Sequence, residues 1–330
     1  MKGRLAAFGA VVIWGFQFSV LAAAMHHVDA YHFSSLRFVL GALVLAGLLL
    51  WREGRTALRF DGRLPAVLFY GAAGFAAFSI LLNVALGYTS PQNAALFVAL
   101  APLLTQLLRW ALDGVRPRPA ILGLALVALF GLFLVITHGH VGNLGHGGRG
   151  DLMSFVSVLG WALYTYGAGK FPTWSPLRFT TLTMIGGAIV TVAATVVADL
   201  VGAAHLPTLA EWGAVTPPLL YISLIGSVAA VLLWTVAVRA LGASTAVLFM
   251  NLPPVIALII AAVGGAKVEP VELLGAAITV GALLGANLVN RRAATSTPVA
   301  SAPVVSAPAV SAPPATAVSA PPAAEPAPVR

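Results

Sequence analysis

Residues 81–108, LLNVALGYTSPQNAALFVALAPLLTQLL, have a second copy at 232–260 that aligns without a gap: Leu82 falls on Trp234, Ala85 on Ala237, Ala94 on Ala246, Phe97 on Phe249, Leu100 on Leu252 and Pro102 on Pro254. Each copy is a pair of apolar segments meeting at a short polar turn, with proline inside the second. Irregular backbone in so apolar a setting is tolerated where it lines a cavity, and repeats of this kind recur in transporter cores. The plainer alternative is a duplicated helical hairpin that only packs.

Composition decides the solvent. With 59% hydrophobic residues, 8% charged and a mean hydropathy of +0.95, the chain lacks the charge that keeps a globular domain in water, where roughly a quarter of residues are charged. About 20 apolar residues cross the hydrocarbon layer once. Runs of that length fall at 5–24, 33–51, 65–88, 92–111, 119–138, 151–170, 177–199, 215–238, 243–264 and 271–290. The expected fold is therefore an all-α polytopic membrane protein of ten transmembrane helices. The first run follows Lys2 and Arg4 as a signal peptide does, but Trp14 and Gln17 recur in pattern with a later helix, so it is read as a span. Cysteine is absent, which excludes disulfides and thiol chemistry.

The halves match beyond the opening hairpins. Trp14 aligns with Trp161, Leu5 with Leu152, Phe8 with Phe155, Arg37 with Arg178, and Leu122 and Gly123 with Leu274 and Gly275. Each half then has five crossings, and because five is odd the second enters from the opposite side: an inverted repeat. Residues 1–138 form the first half, 139–150 a glycine- and histidine-rich periplasmic linker, and 151–292 the second half. With the amino terminus inside, all Lys and Arg residues except Arg37, Arg149 and Lys267 fall on the inner side, as expected of cytoplasmic loops. The basic balance thus reports topology and no nucleic-acid partner, with both termini cytoplasmic. Residues 293–330, rich in Ala, Pro and Ser, are expected to be a disordered tail.

VVIWGFQFSV, SSLRFVLGAL, NVALGYTSPQNAALFVALAP, DLMSFVSVLGWALYTY and LGASTAVLFMNLPPVIALI, in this order and spacing, resemble the EamA family of the drug/metabolite transporter superfamily over residues 1–290. The resemblance implies a bacterial inner-membrane permease, an exporter of amino acids or other small metabolites. It also implies a central cavity walled by the first four spans of each half, with the fifth of each packed to the side.

Candidate site residues follow from polarity at depth. Acids are confined to loops, helix ends and the tail, so a carboxylate proton relay is not expected. Arg37, about one turn into the second span, either holds a substrate carboxylate or, like its aligned partner Arg178, snorkels or ties to carbonyls. Trp14 and Gln17 share a helix face, as do Trp161 and Tyr164, and are expected to line the cavity. Asn83, Gln92 and Asn251 either touch cargo or tie helices together. Pro102, Pro253 and Pro254 are expected to kink the fourth and ninth spans as pivots of alternating access or as static bends. Glycines 71, 74, 123, 131, 275, 281 and 285 suit close helix packing. His138, His140 and His146 are read as loop residues, with no metal site and no cofactor. The reading is a secondary transporter, monomeric or homodimeric, moving a small molecule through the bilayer. Alternatives are efflux of drugs or lipid-like molecules and a non-transporting scaffold or sensor. No nucleophile with an adjacent base and no nucleotide loop points to an enzyme.

Overall fold

The computed structural model describes residues 2–295 apart from 26, 86, 90, 141, 143–147, 264, 266 and 267. Among them there is helix and no strand. In chain order the helices are α1 (Lys2–Ala24), α2 (Ala30–Glu53), α3 (Leu64–Gly71), α4 (Phe78–Ala85), α5 (Pro91–Ala99), α6 (Ala101–Asp113), α7 (Pro119–Thr137), α8 (Gly148–Ala168), α9 (Pro176–Leu200), α10 (Leu209–Tyr221), α11 (Ala230–Leu241), α12 (Ala243–Ala246), α13 (Leu252–Val263) and α14 (Pro270–Thr295). Leu64–Ala85, Leu209–Leu241, α2, α7 and α9 are each long and apolar enough to cross a membrane. The chain is a multi-pass, all-helical membrane protein.

Local chemistry starts these helices where they start. The Asp29 carboxylate accepts from the backbone N–H of Tyr31 and His32 at 2.8 and 3.0 Å, capping α2. Ser175 Oγ accepts from Arg178 N at 2.9 Å above α9, and Thr208 with Glu211 forms a reciprocal capping box on α10. Pro102, Pro119 and Pro176 sit in the first turns of α6, α7 and α9, where a missing N–H leaves nothing unsatisfied.

Two long helices are interrupted at corresponding places. α3 passes into α4 through a π-helical stretch, Ala72–Ala77, and α10 into α11 through another, Ile222–Ala229. Two apolar runs are broken as well. Residues 91–113 divide at Leu100, and between α12 and α13 lies a 3-10 segment, Val247–Asn251. The breaks precede the prolines, because the ring clashes with the carbonyl four residues back. Pro102 and Pro253 accordingly open new helices where kinks within continuous ones were expected.

The helices pair as α1 with α11 and α4 with α8, α2 with α9, and α7 with α14. Glycine makes two crossings close, that of α7 with α14 and that of α3 with α9. A Cβ at Gly131 would lie 2.6 Å from Gly275 O on α14, and one at Gly71 would lie 2.8 Å from Gly187 N on α9. Gly74 and Gly285 also face packed side chains, whereas Gly123 and Gly281 have open space around them. These two do not serve the packing role expected of them.

Ionic contacts collect at the two ends of the bundle. At the end bearing most of the arginines, Arg178 meets Asp61 and Lys170 meets Asp113, each at 2.6 Å. At the other end, His32 lies between Asp29 at 2.7 Å and Asp199 at 3.4 Å, and His138 faces Glu272 at 3.1 Å. The linker expected over 139–150 is helical from Gly148 onward, and α14 runs on to Thr295 past the expected start of the tail. Residues 296–330 and His146 lie outside the described residues.

Candidate functional site

A cavity of about 110 Å³ lies among α1, α2, α4, α5, α8, α11, α13, the π-helical stretch Ala72–Ala77 and the 3-10 segment Val247–Asn251. Its apolar wall comes from one face of residues 74–83: Gly74, Phe75, Phe78, Ser79, Leu82 and Asn83 all line it, at the three- and four-residue steps that keep side chains on one side of a helix. Sequence reasoning picked only Asn83 from this face, although the spacing of Phe75, Phe78 and Leu82 was there to be read.

The floor is aromatic. Trp14 meets Trp161 edge-on with ring centroids 5.4 Å apart and Trp234 at 5.6 Å, while Trp161 and Trp234 are 6.1 Å apart. Two of the indole N–H groups are satisfied within the protein. Trp234 Nε1 donates to Thr165 Oγ1 at 3.2 Å, and Trp14 Nε1 donates to Gly226 O at 3.1 Å. The second bond is a product of the π-helix: its wider turn hands the Ala230 N–H to Ile225 O, and Gly226 O takes the indole. π-Helical turns are frequent at functional sites for such reasons. Trp161 Nε1 is buried and has no hydrogen-bond partner, as is Gln17 Oε1. Both residues line the cavity.

Arg37 also lines the cavity. Its Nε donates to Ser227 Oγ at 2.7 Å, and its guanidinium carbon lies 4.7 Å from the centre of the Phe38 ring. Among the described residues no carboxylate pairs with it. Its aligned counterpart is built differently, because Arg178 Nη2 donates both to Arg59 O and to Asp61, each at 2.6 Å. The tie to a carbonyl and an acid thus describes Arg178 and not Arg37.

Of the other expected site residues, Trp14, Gln17, Asn83, Trp161 and Pro253 line the cavity. Tyr164 does not. It is fully buried below Trp161, with its hydroxyl 3.1 Å from Thr235 Oγ1, so it supports the floor. Asn251 is buried in the 3-10 segment with Oδ1 unpartnered, outside the lining. Pro102 is buried at the start of α6, away from the cavity. The side chains of Gln92 and Pro254 lie outside the described residues. Ser227 and Phe38 were missed: Ser227 is brought to Arg37 only by the packing of α2 against Ile222–Ala229. Among the described residues no group of three or more metal-ligating side chains comes together.

A bundle of apolar helices around a small, partly polar cavity, with one unneutralised cation in its wall, is the architecture of a membrane transporter. The chain belongs to the EamA-like transporter family, whose model matches residues 1–137 and 148–288. Two proteins of Bacillus subtilis (strain 168) are similar along most of their length. The uncharacterized transporter YrdR is 27% identical over 296 residues, covering 88% of this chain and 92% of that one. The uncharacterized transporter YyaM is 33% identical over 261 residues, covering 77% and 83%. A solved crystal structure, 24% identical, superposes with a TM-score of 0.71 over 88% of this chain and 98% of its own, and shares the fold.

Proposed function

We propose that this transporter is a secondary exporter of amino acids or related small metabolites carrying a carboxylate, working by alternating access in a bacterial inner membrane. The observation that carries the reading is Arg37, a cavity-wall cation with one serine partner and no acid. A guanidinium in so apolar a surrounding is costly unless an anion comes to it, and a carboxylate fits its fork of donors. Trp14 and Trp161 would hold the remainder of the solute, with the free Trp161 N–H as a further donor. The cavity volume favours a small solute, since drug-sized ligands occupy pockets of roughly 300–1,000 Å³.

The reading includes ten crossings in two inverted halves, 1–138 and 151–292, with both termini cytoplasmic. The pairing of helices supports it: α1 packs on α11 as α8 packs on α4, which is the exchange that a two-fold relation between halves requires. The matching π-helical stretches and the matching breaks before Pro102 and Pro253 support it as well. Alternating access then has its irregular elements around one site.

The test is counterflow in proteoliposomes with a panel of labelled amino acids and their amides. Exchange of carboxylate-bearing members that is lost in Trp14→Ala and Trp161→Ala, with the variants still folded, is the expected result. Movement of apolar dyes or lipid analogues alone would replace this reading with drug or lipid efflux. No flux of any compound would leave a scaffold.

A further inference from the structure

A second cavity, of about 530 Å³, lies at the arginine-rich end of the bundle and shares no lining residue with the first. It is lined by Arg109 and Asp113 of α6, Tyr166 and Lys170 at the end of α8, and Arg239 of α11, with Gly242 and Ala243 beyond. Three cations thus face one acid, and the surplus is positive. The volume falls in the range of ligand sites.

The donors are only partly used. Lys170 Nζ and the Tyr166 hydroxyl both donate to Asp113 Oδ1 at 2.6 Å. Arg109 Nη1 donates to Ser244 Oγ. Arg239 holds Ala168 O and Trp174 O, while its Nη2 is buried without a partner. The two cavities are stacked along the same helices. On α8, Trp161 lines the first and Ala168 the second; on α11, Val231 lines the first and Val238 the second. Seven residues of helix make about 10 Å, and that interval is filled by Tyr164, Thr165, Trp234 and Thr235, all fully buried.

We propose that this cavity is a loading vestibule that takes a small carboxylate-bearing solute, whose carboxylate exchanges with that of Asp113 on Lys170 and adds Arg109 and Arg239 as ligands. The inference rests on the transporter reading above and deepens it. Exchanging one carboxylate for another keeps Lys170 paired throughout, while the displaced Asp113 carboxylate keeps the Tyr166 hydroxyl and turns to water at the exposed end of α6. It also has a mechanical consequence, because the Asp113 contacts tie the end of α6 to the end of α8. An incoming anion that takes Lys170 releases that tie on the side from which the solute enters.

The chain has no cysteine, so Ala243→Cys gives the full-length protein a single thiol in the vestibule wall. Its reaction with a membrane-impermeant maleimide is followed in phosphatidylcholine vesicles, with succinate as probe and uncharged succinamide as control. Succinate is expected to slow labelling at least threefold and succinamide to leave it unchanged. Protection is expected to disappear when Arg109→Gln and Lys170→Gln are added, and to strengthen with Asp113→Asn, which frees Lys170. These opposite directions separate ligand binding from loss of fold. Equal protection by succinamide, or none by succinate in either the parent or the Asp113→Asn protein, overturns the proposal. So does protection by phosphatidylglycerol vesicles alone with no effect of succinate, which would make this a lipid headgroup site. Trp161→Ala separates the two readings: protection that persists while counterflow is lost supports a vestibule distinct from the central site. Counterflow without protection in the parent refutes the vestibule and leaves the exporter standing.

Discussion

Arg37→Gln tests the proposed carboxylate site most directly, and its expected effects on stability and on binding differ in size. An arginine at the middle of a membrane helix is unfavourable by about 2.5–3.5 kcal/mol on insertion scales, an upper bound for Arg37, which lies in the first third of α2. Against this stand the bond to Ser227 Oγ at 2.7 Å, at about 1.5–3 kcal/mol for a charged donor, and the Phe38 ring 4.7 Å away, at about 0.5–1 kcal/mol. The terms nearly cancel. Removing the guanidinium should change stability by no more than about 1–2 kcal/mol, a few degrees in melting temperature. Binding has no such cancellation. A carboxylate that loses a charge-assisted hydrogen bond loses about 1.5–3 kcal/mol, or roughly 10- to 150-fold in affinity.

The assay is a melting curve of purified protein titrated with an amino acid that undergoes counterflow, alongside its amide. Ligand raises the melting temperature by mass action. In Arg37→Gln the amino acid curve should shift by one to two decades in concentration while the apo melting temperature stays put and the amide curve does not move. Ser227→Ala, which keeps the charge but frees its position, should give an intermediate loss. Wild-type affinity in Arg37→Gln would refute the assignment. An apo melting temperature lowered by ten degrees or more would show instead that Arg37 is a structural tie like Arg178.

Other substitutions probe the floor, the packing and the arginine-rich end. Trp161→Phe keeps the ring contacts to Trp14 and Trp234 but removes the unpartnered N–H; it should retain fold and weaken binding several-fold, by about 1 kcal/mol, read in the same titration. Gly131→Val forces atoms into Gly275 O and Thr279 across the α7–α14 crossing; overpacking of this kind costs about 1–3 kcal/mol, visible as a lower melting temperature with counterflow per folded molecule unchanged. For pH, hydrogen bonds from Lys170 and then Tyr166 hold the Asp113 carboxyl below its ordinary value, and the bond from Asp113 raises the Lys170 ammonium above its own. The depressed acid stabilises above its unfolded value and loses that contribution as pH falls through the folded one; the raised base does the reverse at high pH. The contact is therefore whole at neutral pH and fails in acid, so Asp113→Asn should flatten the part of the melting temperature profile below about pH 4, and an unchanged acid limb would refute the coupling.

How much of this was legible in the sequence depends on whether a property is local to one helix. Apolar runs and capping residues are local, and among the described residues the runs read from hydropathy are mostly helix, interrupted at Leu100 and across Val247–Asn251, with ends moved by a few residues where Asp29, Ser175 or Thr208 starts the turn. A shared face is local too, which is why Trp14 and Gln17 were found together. Depth is not local: Trp161 and Tyr164 share a face, yet only Trp161 reaches the cavity, because the next turn of α8 is already roofed by Trp161 and tied to Thr235. The π-helical acceptor for Trp14 and the serine beside Arg37 belong to contacts between distant segments and left no mark in spacing.

The aligned arginines show what the repeat still had to say. Carry the register of the two copies back from Leu82 on Trp234, and Asp61 falls on Gly213. Arg178 has Asp61 at 2.6 Å; in the other half the aligned position has no side chain to offer. Two halves under the same packing demands would keep the pair in both if the pair served packing alone. The arginine whose acid is missing at the aligned position is also the arginine that lines the cavity, and under the proposed function the missing negative charge is the one a carboxylate solute brings.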